Sequence, residues 1–284
     1  MLITSLLPLL FGLGAALTWG LADFAGGLGS RQAGVYRLVW MGEWVGLVCL
    51  LPCPLLFREP LPPANDLLLA VVASLSGILG VLMLYQALAK GQMSITAPVS
   101  ALLSASVPVL VSAWTEGFPG GLKIAAFGLA LAAIWLVSSA ESEAKLPALQ
   151  FSKLGLPLLS GLAFGVYFVL MHHASQQATF WPLISARLVS SLLLTAYLWG
   201  TRQLVPLPRP AQKLAALNGA LDATANLLYL LAGQFGRLDI AAVLSSLYPG
   251  VTVLMAGLLL KERLARPQIA GVILALAAIL LIAA

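Results

Sequence analysis

Residues Leu129–Ile134 read LALAAI, and 145 positions further on Leu274–Ile279 read LALAAI again. Six apolar letters can coincide by chance, so the register has to extend beyond them. It does: the same offset carries Ala87 to Ala232, Gly91 to Gly236, Ile95 to Ile240, Ser100 to Ser245 and Ile124 to Ile269 without a gap. Nearer the start the offset is 149, taking Pro8-Leu9-Leu10 to Pro157-Leu158-Leu159, and it becomes 150 where Arg37-Leu38-Val39 meets Arg187-Leu188-Val189. One unit is therefore written twice, over residues 1–145 and 146–284.

Composition says what solvent the unit is built for. The chain is 61% hydrophobic and 9% charged, with a mean hydropathy of +1.00, where a soluble domain has about 25% charged residues. Apolar stretches of bilayer-spanning length follow one another almost without pause. We read them as 4–27, 35–57, 65–89, 93–114 and 120–139, then 154–175, 180–201, 212–235, 238–260 and 265–283. Breakers mark the joints, among them Pro60-Leu61-Pro62-Pro63, Pro119-Gly120-Gly121 and the prolines 206, 208 and 210. Five spans per unit is an odd number, so the second copy enters the membrane upside down. The expected fold is an all-α integral membrane protein of ten transmembrane helices, arranged as two inverted five-helix repeats. Such repeats are the usual build of secondary transporters.

Other classes fit the sequence less well. It has no HExxH, no GxSxG and no phosphate-binding loop of the Walker type, and its two histidines are adjacent. We expect neither an enzyme nor a primary pump, and no metal or cofactor. Cys49 and Cys53, four apart on one helix, read as small packing residues. No Lys or Arg precedes the first apolar stretch, so it does not read as a cleavable signal. The net charge of +5 is a topology signal here and not a nucleic-acid footprint. Loops after the odd-numbered spans carry ten basic residues (Arg31, Lys90, Lys145, Lys153, Arg202, Arg209, Lys213, Lys261, Arg263 and Arg266) against Arg58, Lys123 and Arg237 on the other side. That bias places both termini outside the cytoplasmic membrane.

The stretch Tyr85–Val109, YQALAKGQMSITAPVSALLSASVPV, the end of the second copy at Leu258–Leu281, LLLKERLARPQIAGVILALAAILL, and Trp19-Gly20 resemble the EamA-like family of the drug/metabolite transporter superfamily. The resemblance covers essentially the whole chain. It implies ten helices around a central cavity that passes small organic metabolites or drugs.

Ionisable groups at membrane depth face a cavity or a partner, because leaving them in lipid costs a few kcal/mol or more. Only Asp23, Glu43 and Asp222 lie well inside apolar spans among the acidic residues. Asp222, Asn226 and Tyr229 fall at i, i+4 and i+7, a polar stripe on one helical face; their counterparts in the first half are Gly77, Val81 and Leu84. We expect that stripe to bind the substrate, with Trp19, Tyr85, Ser100, Ser245 and Tyr248 completing the wall. Asp23, near the end of span 1, has His172 as its counterpart, and these two with Glu43 are the candidates for proton coupling. Glu43 could instead pair with a basic group. Arg37 and Arg187, counterparts of each other, read as snorkelling or fold-locking residues. Pro98, Pro108 and Pro249 interrupt spans 4 and 9 and are the expected hinges. The reading that emerges is a secondary transporter of a small organic solute in the lipid bilayer, as a monomer or homodimer, with proton-coupled export as one form of it. A lipid flippase or scramblase on the same inverted architecture is the alternative.

Overall fold

Leu- and Ala-rich runs of twenty residues satisfy every backbone donor and acceptor only as helices when no water is at hand, and helices are what form. In the computed structural model, which describes residues 2–89, 93–138, 151–259 and 266–283, the first half holds α1 (Leu2–Ala33), α2 (Val35–Leu50), α3 (Cys53–Leu56), α4 (Ala64–Ala89), α5 (Met93–Thr115) and α6 (Gly121–Ser138). The second holds α7 (Phe151–Ala174), α8 (Phe180–Gly200), α9 (Arg209–Phe235), α10 (Leu238–Ser245), α11 (Tyr248–Leu259) and α12 (Arg266–Ala283). Six of the helical stretches are long and apolar enough to cross a membrane, and four shorter apolar ones accompany them among the described residues. Most of the 141–153 linker and the loop carrying Lys261 and Arg263 lie outside the described residues.

Three stretches differ from expectation, and one of them, 35–57, is divided at Leu51-Pro52 into α2 and α3. The first helix runs to Ala33, so Asp23 sits in its interior and not at its end. The turn into α2 is made by Gly34 alone, at φ 78°, a backbone conformation that L side chains rarely adopt. The stretch 238–260 is not one helix: it breaks at Ser246–Leu247 into α10 and α11. Pro249, in the first turn of α11, has no N–H to offer the carbonyl of Ser245, so the ladder cannot run through. The equivalent stretch in the first half, α5, is continuous past both Pro98 and Pro108. The repeat is symmetric in sequence register and asymmetric at this point in shape.

The halves are repeats but not separate packing bodies, for the most extensive helix contacts all join one half to the other. α1 runs antiparallel to α9: Phe11 meets Phe235, Trp19 meets Asp222 and Gly29 faces Leu214. The register carries this pair onto α7 and α4, where Tyr167 covers Gly77 and Phe164 covers Gly80. α1 also runs parallel to the α10–α11 stretch, with Gly12 against Leu244 and Gly20 against Val251. Its counterpart is α7 along α5, with Gly161 against Leu103 and Gly165 against Val107. Finally α10 begins where α5 ends. There the Arg237 guanidinium donates to the carbonyls of Glu116 and Gly117 at 3.2 and 2.8 Å. Following these directions from α1 through α10 and α5 to α7 sets the two repeat-related helices in opposite senses.

Candidate functional site

The site starts from a crossing of two glycines. A Cβ on Gly219 of α9 would stand 2.2 Å from the carbonyl oxygen of Gly42 on α2, so the two backbones touch. One residue beyond Gly42, Glu43 is thereby brought level with Asp222, and Arg187 of α8 reaches between them. Its Nη1 lies 3.2 Å from Glu43 Oε1, and its Nη2 donates to Asp222 Oδ2. Gly46 leaves room for the guanidinium: a Cβ there would come within 3.1 Å of Arg187 Nη1. Arg187 is 6% exposed, so both carboxylates work as its counter-ions in a place where an unpaired charge would be strongly destabilising.

Asp222 is held on three sides. Besides Arg187, it accepts from Trp19 Nε1 at 2.9 Å on Oδ1 and from Asn226 Nδ2 at 3.2 Å on Oδ2. Asn226 Oδ1 in turn accepts from the Tyr167 hydroxyl at 2.7 Å. That last bond explains the glycine in the first half. With no side chain at Gly77, the Tyr167 ring lies flat on α4 and its hydroxyl crosses to α9. The network Tyr167–Asn226–Asp222–Arg187–Glu43, with Trp19 joined at Asp222, spans α1, α2, α7, α8 and α9.

This network borders a cavity of about 150 Å³. Its polar side carries Asp23, Glu43, Arg187, Asn218, Asp222 and Asn226. Facing them are Gly77, Val81 and Leu84 of α4, the three counterparts of the polar stripe. Aromatic rings close the rest: Trp19 packs 5.3 Å from Phe168 and, edge-on, 6.5 Å from Tyr248. Tyr248 reaches the cavity because the break at Ser246–Leu247 restarts the helix there.

The residues singled out from sequence are distributed unevenly. Asp222, Asn226, Trp19, Tyr248, Asp23 and Glu43 all border the cavity. Tyr229 does not: Phe168 at 4.7 Å and Trp19 at 5.9 Å pack over its ring, and its buried hydroxyl finds no partner. Ser100 faces α7 instead, sharing a 3.1 Å bond with Ser160, while Ser104, one turn on, reaches the cavity. Ser245 donates to Ala242 of its own helix at 3.2 Å. His172 is also outside, packed against Gly233 of α9 with Gln176 at 3.2 Å, because α7 turns that face toward the α9 backbone. Glu43 is ion-paired, and Asp23 alone of the three acids has no hydrogen bond or ion pair among the described residues. The side chains of Tyr85 and Pro98 lie outside the described residues; Pro108 and Pro249 are buried. Arg187, Tyr167, Asn218 and Ser104 border the cavity and are not among the candidates the sequence offered.

Comparison with known proteins follows the same outline. No curated protein matches the chain by sequence. Chains of solved structures do match by fold, 27 in number. One, described only as the crystal structure of a protein, superposes with a TM-score of 0.77 over 96% of this chain and 94% of its own, at 17% identity. That similarity shows a shared fold. The family model for EamA-like transporters matches twice, at residues 6–139 and 152–284. With both copies of the repeat accounted for, the chain belongs to the EamA-like transporter family, a group of the drug/metabolite transporter superfamily.

Proposed function

We propose that the protein carries a small organic solute across the cytoplasmic membrane by alternating access to the central cavity. Ten spans would result, with α2–α3 and α10–α11 each making one crossing and the basic loops in the cytoplasm. The observation that carries the reading is the cavity itself: polar on one side, aromatic and apolar on the other, and built by helices of both repeats. Such a lining suits an asymmetric organic molecule better than an inorganic ion. Asp222 and Asn226 shape the polar wall through Arg187, and Trp19 and Tyr248 form the aromatic wall. If transport is coupled to protons, Asp23 is the coupling group, since Glu43 is occupied by Arg187 and His172 is remote from the cavity. One chain supplies the whole cavity, which supports a functional monomer.

The interlocked contacts between the two halves favour a local change over movement of the halves as rigid lobes. Alternation would instead use α10 and α11, already divided at Ser246–Leu247, against the continuous α5.

The test is flux from an unselected mixture. Proteoliposomes loaded with a metabolite extract are incubated and the released solutes identified by mass spectrometry, with a fluorescent-lipid control in parallel. The transporter reading expects a few solutes to leave through the wild type and not through Gly219→Val, whose side chain would part α2 from α9. Equilibration of the lipid without solute release would replace it with a lipid-handling function.

A further inference from the structure

The charges around the cavity do not balance, and the imbalance names the kind of solute. Among the described residues, the acidic side chains bordering it are Asp23, Glu43 and Asp222, and the one basic side chain is Arg187. Arg187 is already shared between two carboxylates, one terminal nitrogen on Glu43 and the other on Asp222. Asp222 already accepts from Trp19, Arg187 and Asn226. A carboxylate-bearing solute would add a fourth negative group to a site whose one cation is already shared by two. Asp23 has no hydrogen bond or ion pair among the described residues, and it borders the same space. It lies one turn from Trp19 on α1, on the same face of the helix, within Coulombic range of Asp222 and Tyr248. Trp19 and Tyr248 border the same cavity and meet edge-on at 6.5 Å, with Phe168 and Tyr167 lining it beside them. Aromatic faces attract cations and hold apolar bodies, two properties of one ligand type.

We propose that the cavity binds a small organic monocation, a protonated or quaternary amine carrying one ring-sized apolar group, with Asp23 as its counter-ion and Trp19 and Tyr248 as its aromatic clamp. The cavity volume, about 150 Å³, is below the ~300 Å³ at which drug-sized pockets begin, so the cation is compact. This inference rests on reading the cavity as the transport site, and it can fail separately from that reading.

Three probes on one phenylethyl frame and of different charge decide it: 2-phenylethylammonium, 3-phenylpropionate and 2-phenylethanol, titrated calorimetrically into the purified full-length protein. The expected result is saturable binding of the ammonium alone, weakened at least tenfold in Asp23→Asn and retained in Asp23→Glu. Because Asp23 has no bonded partner among the described residues, Asp23→Asn should unfold at the wild-type temperature or above it, which separates lost binding from lost structure. Binding of the anion or the alcohol as tightly as the ammonium overturns the proposal. So does ammonium binding that Asp23→Asn leaves unchanged, and so does a failure of all three to bind. Ammonium binding without any flux in vesicles would refute the transport reading and leave the site intact; flux without ammonium binding would do the reverse.

Discussion

Replacing Arg187 by Met keeps the length of the side chain and removes the only cation that Glu43 and Asp222 share. Both carboxylates are then left in a buried site, where breaking an ion pair from one side typically costs about 3–5 kcal/mol. The protein can escape part of that cost by protonating the stranded groups. From ordinary Asp and Glu ionisation, protonation costs about 4 kcal/mol each at pH 7 and about 1 at pH 5. Asp222 is 32% exposed at the side chain and Glu43 17%, so cavity water screens Asp222 more and Glu43 carries most of the loss. Arg187→Met should therefore be less stable than wild type by about 3–5 kcal/mol at pH 7, and the deficit should shrink as the pH falls to 5. The triple variant Arg187→Met, Glu43→Gln, Asp222→Asn has no charge left to strand and should recover most of the loss. Thermal unfolding in detergent at a series of pH values, followed by intrinsic fluorescence, measures both effects. A deficit under about 1 kcal/mol, independent of pH and not relieved in the triple variant, would mean that water already solvates the cluster and that it does not hold α2, α8 and α9 together.

Further substitutions probe the neighbouring structure. Gly219→Ala places a methyl group on the Gly42 carbonyl and should destabilise by about 1–3 kcal/mol. Gly14→Ala, which meets only the end of Leu228 at 3.2 Å, should cost less; unfolding temperatures that rank the two the other way would refute the crossing. Glu59 accepts the backbone N–H groups of Thr179, Phe180 and Trp181 at 2.6–3.1 Å, so Glu59→Gln should loosen the first turn of α8 by about 1 kcal/mol. Faster hydrogen exchange confined to residues 179–183 is the expected signature, and unchanged exchange there would count against it. Thr195 accepts both indole N–H groups of Trp40 and Trp44, at 2.8 and 3.2 Å. Thr195→Val should strand them at about 1–3 kcal/mol in total, visible as a shift in tryptophan emission that Thr195→Ser does not produce.

How much of this is legible in the sequence depends on how far each signal is local. The duplicated register is carried by composition along one helix at a time, so it survives in the sequence, as does the i, i+4 pairing of Asp222 with Asn226. Tyr229 continues the same periodicity, yet whether a side chain on that face meets a cavity is decided by what other helices place in front of it. Here Phe168 and Trp19 do so. Arg187 escapes notice because a lone arginine two turns into a span also fits snorkelling. A signal that could find it does exist, since three acids buried in apolar spans require a cation and few candidates lie at their depth. Its partners sit on α2 and α9, far away in sequence, and no spacing rule connects them. The break at Ser246–Leu247 is hidden for a different reason, as α5 carries two prolines and stays whole.

The interlocking of the repeats also sets an order of events during synthesis. Glu43 enters the bilayer with α2, but its counter-ion Arg187 is delivered by α8, about 140 residues of chain later. At about 5–20 residues per second the wait is roughly 7–30 s. Throughout that interval the nascent first half carries two membrane-depth acids, Asp23 and Glu43, and lacks the α9 surface against which α1 and α2 close. The helices of the first half therefore need the shelter of the insertion machinery until the second repeat arrives.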